Sequence, residues 1–314
     1  MVEKLLMLPG PTQLPSSVLR AMAKPVISHR GFEFHELYRR VVDGLRYVFQ
    51  TNSRVFILTA SGTGGVEFAV TNFLDEKDEV IVPITGVFAE RMSKAIANRG
   101  AKVIKLYVET GCHLTPNELE RALEKNKDVT ALSLVFNETS TGVATWDIVE
   151  IGKIAKEWGL LTIVDSISAL GGVDIPTDKA GIDVHIAGSQ KCIAAPPGLA
   201  FVAVSRYAEE KAQSIDKGSF YFNFDAYTRF DEKLETPFTP AIPLLYALDE
   251  ALRLMREEGL KNIFERHQKA SEALYAALSS MGFKFVAKPD FRSRTVIATY
   301  PPRGGQHLLE DTLL

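Results

Sequence analysis

The segment Val55-Phe56-Ile57-Leu58-Thr59-Ala60-Ser61-Gly62-Thr63-Gly64-Gly65-Val66-Glu67-Phe68-Ala69-Val70 decides how the rest of the chain is read. Its opening run of apolar β-formers predicts a strand. The glycine-rich stretch that follows is a turn, and Val66 to Val70 begins a helix. Strand, glycine-rich turn and helix, in that order, aim unpaired backbone N–H groups at an anion. The glycines permit close approach, and the Ser61 and Thr63 hydroxyls add donors. The spacing is not G-x-G-x-x-G, and the lysine of a P-loop is missing. Two readings stay open here: a phosphate cup, or a plain structural turn.

Working outward, the same unit repeats. Strands are expected at Glu79–Pro83, Lys102–Leu106, Thr130–Phe136 and Leu160–Val164. Helices are expected at Ala89–Asn98, after the capping pattern Thr115-Pro116-Asn117-Glu118, and at Asp147–Trp158. Continuous apolar strands alternating with amphipathic helices predict a mostly parallel sheet covered on both faces. Ligands of such sheets sit beyond the carboxyl ends of the strands. Ser61 to Gly64, Phe88, Thr139 in the polar loop after Phe136, and Asp165 all fall there. Asp165 ends a buried strand, where an acid is costly unless paired. It either caps a helix or meets a cationic ring nitrogen.

Further along stands Ala187-Gly188-Ser189-Gln190-Lys191, between the apolar runs Val184–Ala187 and Leu199–Val204. A lysine at such a junction is desolvated, which lowers its pKa and suits it to form a Schiff base with an aldehyde. The bland reading is an ordinary lysine in a surface turn. Elsewhere, Leu8-Pro9-Gly10-Pro11-Thr12 excludes helix and central strand. Ser28-His29-Arg30-Gly31 is a polar turn, either solvated or facing a site. Ser219 to Phe230 reads as a long surface loop or an interface segment. Phe283–Val286 and Thr295–Thr299 read as short strands around a long helix. The expected division is an arm over 1–16, a large domain over 17–258, and a small α+β domain over 259–314 that is incomplete.

Composition bounds the function classes. The chain has 314 residues, 46% hydrophobic and 24% charged, with a formal net charge of −3. No global basic field suggests nucleic acid or an anionic membrane surface. No apolar run reaches the roughly 20 residues of a membrane span. The two cysteines, Cys112 and Cys192, are far apart and make no metal-ligand spacing, which fits a reducing cytoplasm.

An amine at 191, an acid at 165 and an anion cup at 61–63 converge on one kind of molecule. Pyridoxal phosphate carries the matching aldehyde, pyridine nitrogen and phosphate. Asp165 would keep the ring nitrogen protonated, and Phe88 would stack on the ring.

The motifs also resemble a family. Leu8-Pro9-Gly10-Pro11-Thr12, Ser61-Gly62-Thr63-Gly64, Glu138-Thr139-Ser140-Thr141-Gly142-Val143, Val164-Asp165-Ser166, Gly188-Ser189-Gln190-Lys191 and Ala195-Pro196-Pro197-Gly198 are similar, in order, to those of the class V aminotransferases. The likeness is strongest to the alanine/serine–glyoxylate (or pyruvate) enzymes and their archaeal aspartate-type relatives. It implies fold type I of the pyridoxal-phosphate enzymes, the aspartate-aminotransferase superfamily: an α/β three-layer sandwich with a smaller α+β C-terminal domain. It also implies a homodimer with sites at the interface. Carried over residue by residue, Lys191 becomes the Schiff-base lysine and proton shuttle, and Asp165 the pyridinium partner. Ser61, Gly62, Thr63 and Gln190 would hold phosphate, Thr139 would sit near the ring's phenolic oxygen, and Phe88 would take the stacking position. Thr236 and Thr239 would reach the phosphate of a neighbouring subunit's cofactor, and Pro9 and Gly10 would lie near the substrate.

The implied reaction is ping-pong transfer of an amino group from serine, alanine or aspartate to glyoxylate, pyruvate or 2-oxoglutarate. The family grips the substrate α-carboxylate with an arginine in a later strand, to which Arg292, Arg294 and Arg303 come too early to be matched. A truncated form that binds cofactor and transaminates poorly is therefore expected. Two competing functions are a cofactor-binding scaffold without catalysis, and a lyase or cysteine desulfurase. Desulfurase relatives carry His where this chain has Gln190, and need a mobile Cys.

Overall fold

The structure, a computed structural model, describes residues 6–301. Residues 1–5 of the expected arm and 302–314 of the expected small domain, Arg303 included, lie outside the described residues.

The chain runs through α1 (Ser16–Ala21), α2 (Phe32–Phe49), β1 (Arg54–Thr59), α3 (Gly62–Phe73), β2 (Glu79–Ile84), α4 (Val87–Asn98) and β3 (Lys102–Tyr107). It continues through α5 (Pro116–Lys125), β4 (Ala131–Val135), the short pair β5 (Asn137–Glu138) and β6 (Val143–Ala144), α6 (Ile148–Glu157), β7 (Leu161–Asp165), β8 (Val184–Gly188) and β9 (Leu199–Val204). Then come α7 (Arg206–Ala212), α8 (Phe224–Asp231), α9 (Ile242–Glu258), α10 (Leu260–Ser280), and a second short pair, β10 (Lys284–Phe285) with β11 (Thr299–Tyr300).

Seven strands form one sheet in the order β1-β9-β8-β7-β4-β2-β3. β9 runs against both of its neighbours, and every other pairing is parallel. β4, β7, β8 and β9 are buried along their whole length, because helices cover both faces and every side chain meets apolar atoms. On one face α3, α4, α7 and α8 enclose Phe56, Phe68, Phe73 and Ile186. On the other, α2 and α9 pack over β1 and β9, while α5 and α6 pack over β4 and β7. Truncating a fully buried Phe68 to alanine would cost about 3–5 kcal/mol. β3, at one edge, has only exposed and half-buried positions, and its Lys102 and Lys105 pair with Glu79 and Glu90.

Three expectations change. Ser219 to Phe230 is not one long loop: α8 starts at Phe224, capped by Asn223, whose side chain accepts from Ala226 N–H. Phe224 and Tyr227, one turn apart, reach the core against Phe56 and Phe68. The expected strand at Thr295–Thr299 shrinks to β11, because Ser293 Oγ accepts from Thr295 N–H and Val296 N–H and folds that stretch into a turn. Finally, α4 starts at Val87 rather than Ala89, since side chains from a distant loop satisfy its first N–H groups.

Candidate active site

β1, β2, β4, β7 and β8 point the same way, so their carboxyl ends share one edge of the sheet. A cavity of about 200 Å³ opens there. Its wall includes Ser61, Gly62, Thr63, Phe88, Thr139, Asp165, Gln190 and Lys191. Eight residues named from sequence thus meet in one place.

Ser61 is the N-cap of α3, and its hydroxyl makes no capping bond. Gly64 N–H and Gly65 N–H turn back to Ser61 O at 2.8 and 3.3 Å, and Ser61, Gly62 and Thr63 at this helix start line the cavity. A Cβ at Gly62 would lie 2.7 Å from Ile167 Cδ1, so a larger residue there would push the Ile167 side chain aside. The helix dipole adds positive potential at the same point. The Gln190 amide stands in the wall with Oε1 buried and unpartnered among the described residues. Rotation of the amide offers either end to a ligand. This cradle, with an orphaned amide and an open helix start, fits a phosphate.

Lys191 follows the end of β8. Its Nζ donates to Pro9 O at 2.7 Å. Burial lowers its pKa from the ordinary lysine value, against smaller raising effects from Cys192 and Asp165. A Cβ on Gly10 would lie 2.7 Å from Lys191 Nζ, so glycine is required for the arm to cross the lysine. Thr12 N–H bonds Gln190 O at 3.1 Å and holds the arm against the site loop.

Asp165 ends β7 and is buried. Oδ1 accepts from Ile167 N–H at 2.9 Å, so the turn-capping role is present too. Burial, with the charge of Glu138, pushes its pKa up to about 6, although the Ile167 N–H, Lys191 and Arg91 act the other way. Such a carboxyl is stabilised as an anion by a cation brought beside it. Behind it, His185 on β8 is fully buried. Ser166 Oγ lies 2.6 Å from its Nε2 and Thr177 Oγ1 2.8 Å from its Nδ1, and burial holds its pKa down at about 3, so it is neutral.

Thr236 and Thr239 are not in this cavity. Thr236 is buried and donates to Phe238 O at 2.7 Å, and Thr239 is exposed. His29 and Arg30 do not line it either. Arg30 donates to Glu235 Oε2 at 2.6 Å and to Thr236 O at 2.8 Å, holding that segment. Arg292 lies over the Tyr275 and Phe285 rings and Arg294 over Trp146, away from the cavity. Burial pushes the Cys192 thiol up to about 12, so it stays protonated and is a poor nucleophile.

The sequence reading missed Arg91, Asn137 and Ser168, which also line the cavity. Asn137 Nδ2 donates to Ser168 Oγ at 2.8 Å, joining the loop after β4 to the turn after β7. Arg91 was within reach of the helical period, one turn after Phe88, over whose ring its guanidinium lies.

The sheet order with a lysine and an acid at adjacent strand ends defines the architecture of the fold type I aminotransferases. The class-V aminotransferase family model matches residues 5–311. An uncharacterized aminotransferase of Methanocaldococcus jannaschii is 42% identical over 305 residues, covering 96% of this chain and 79% of its own length. The serine–glyoxylate aminotransferase of Methylorubrum extorquens is 34% identical, covering 95% of this chain and 77% of its own. The solved alanine–glyoxylate aminotransferase from Nostoc sp. superposes with a TM-score of 0.92 at 31% identity, over 99% of this chain and 85% of that one. The chain belongs to the class-V aminotransferase family.

Proposed function

We propose that the cavity binds pyridoxal phosphate and that the protein moves an amino group from a small amino acid, serine, alanine or aspartate, to a 2-oxo acid such as glyoxylate, pyruvate or 2-oxoglutarate, in ping-pong fashion. The observation that carries this reading is the shared wall of Lys191, Asp165 and the open start of α3.

When bound, the cofactor supplies an aldehyde for an amine and a protonated ring that draws off the electron pair released at a substrate Cα. The chain supplies everything else. Gly62, Thr63, Ser61 and Gln190 would hold the phosphate. Phe88 would cover the ring, and Thr139 would hold its phenolic oxygen. Asp165 would keep the proton on the ring nitrogen. Lys191 Nζ, with its lowered proton affinity, would bond the cofactor's aldehyde carbon and, when free as an amine, would be the base that carries the substrate's Cα proton. Pro9 O orients that amine.

A second copy of the chain belongs in this picture. Phe220 is 86% exposed beside Phe238, on the segment that carries Thr236 and Thr239. Covering this patch would bring those threonines to a neighbour's phosphate. No described helix is long and apolar enough to cross a membrane, and the cytoplasm is the compartment we propose.

The test is a half-reaction. The purified protein with pyridoxal phosphate should show a visible absorbance band that Lys191→Ala loses. Serine, alanine or aspartate should then bleach it, with a keto acid released. A folded wild-type chain that stays colourless would sink the reading.

A further inference from the structure

Glu138 is 1% exposed and does not line the cavity, yet it sits between two residues that do, Asn137 and Thr139. A carboxylate so placed is strongly unfavourable unless its oxygens are satisfied. Here they are, by groups from two separate parts of the chain. Oε2 accepts from Phe88 N–H at 3.1 Å and Ala89 N–H at 3.0 Å, the first turn of α4. Oε1 accepts from Ser140 N–H at 3.1 Å and Ser140 Oγ–H at 2.6 Å, in its own loop. Ser140 Oγ in turn accepts from Val87 N–H at 3.0 Å. The start of α4 is thus filled by one internal anion and one hydroxyl, and the helix dipole favours that charge. Gly86 is a glycine because a Cβ there would lie 2.6 Å from Glu138 Cδ.

We propose that Glu138 is a positioning residue of the active site: its carboxylate ties the helix turn that carries Phe88 to the loop that carries Thr139, and so sets the spacing between the wall that covers the ring face and the wall at the ring edge. This rests on the reading that Phe88 and Thr139 face pyridoxal phosphate. The function requires an anion at this position. A glutamine has the same shape, but its NH2 end would point at N–H groups and leave them without an acceptor.

Glu138→Gln tests this in the full chain, with Glu90→Gln as control. Glu90 is the acid in the first turn of the same helix, but it pairs outward with Lys105 at 2.7 Å. In the protein without cofactor, amide hydrogen exchange at Phe88 and Ala89 should quicken in Glu138→Gln and stay unchanged in Glu90→Gln. The dissociation constant for pyridoxal phosphate should rise roughly tenfold or more in Glu138→Gln, the scale of lost charge-assisted bonds, and stay within about twofold in Glu90→Gln. Visible circular dichroism per bound cofactor should fall only in Glu138→Gln, because it reads ring orientation rather than stability. Wild-type exchange, affinity and dichroism in Glu138→Gln would overturn the proposal, as would equal losses in the two variants. Should Glu138→Gln not fold, Ser140→Ala takes its place: a smaller shift in the same direction supports the clamp, and unchanged affinity and dichroism overturn it. A wild type that binds no cofactor would fail the functional reading, whereas the exchange experiment judges the clamp by itself.

Discussion

Two buried carboxylates stand at the same edge of the sheet, at the start of α4 and at the end of β7. Glu138 has both oxygens occupied by backbone and hydroxyl donors. Asp165 has one backbone donor and a pKa pushed up to about 6 by burial. The first is satisfied by the fold and holds it together. The second is left short of partners by the fold, so it is poised for a cation from outside. The same residue class in the same low-dielectric setting is fully hydrogen-bonded in one place and left with a single donor in the other, and our proposals give the first a structural role and the second a chemical one. Donor count decides which.

The sharpest way to break this contrast is Asp165→Asn. It keeps the shape and the Ile167 N–H contact but cannot hold a charged ring nitrogen. Half-reaction rates should fall roughly a thousandfold, the scale of a lost positioned proton, with the fold intact by circular dichroism. A variant with wild-type rates would remove Asp165 from the chemistry.

Next in size is a pH effect on the protein without cofactor. The folded pKa of Asp165 is raised, so the folded state keeps its proton at pH values where the unfolded chain has lost it. Below about pH 4 both states are protonated and Asp165 costs nothing. As pH rises through about 6 the folded state must bury the anion, and stability falls by about 3 kcal/mol. Asp165→Asn removes this slope, so urea midpoints of wild type and variant should diverge as pH rises from about 4 to above about 7. Parallel curves would mean the group is not destabilised by burial.

The start of α3 offers a reciprocal test. α4 is closed by an internal anion and α3 is open, so Ser61→Asp should make α3 resemble α4. Aspartate is a good N-cap, so stability should hold or rise slightly. The added charge should weaken pyridoxal phosphate binding by about 2 kcal/mol, roughly thirtyfold, by titration calorimetry. Unchanged affinity would place the phosphate elsewhere.

The smallest effect sharpens the comparison from the surface. Glu118 also accepts a backbone N–H at a helix start, from Thr115 at 2.8 Å in the capping box of α5, but in water. Glu118→Gln should cost only about 0.5 kcal/mol in thermal unfolding, with cofactor affinity unchanged. A loss as large as that of Glu138→Gln would show that burial is not what makes Glu138 matter.

Much of the site was legible because its signals are local. The glycine turn after β1, the lysine between two apolar runs and the acid at a strand tip each show within a few residues. The sheet was legible for the same reason: strands covered on both faces must be apolar throughout. What escaped were partnerships across the crossover connections. Nothing near Glu138 in sequence says that the donors to its Oε2 lie about 50 residues earlier on α4. Asn137 and Ser168 meet only because β4 and β7 are neighbours in the sheet. α8 was missed for another reason. Its core contacts, Phe224 and Tyr227, sit in an aromatic, polar stretch whose weak period reads as a loop until a core is present to receive them.

By itself, the sequence determined the alternation of strand and helix and put an amine, an acid and a glycine-rich turn at strand ends. Periodicity and glycine placement are properties of neighbouring residues. Only the tertiary structure decided that these three groups share one cavity, which of two buried carboxylates is satisfied and which is not, and that Thr236 and Thr239 lie outside the cavity of their own chain. Hydrogen-bond satisfaction and desolvation depend on which elements come together in space, and sheet order fixes that while sequence order does not.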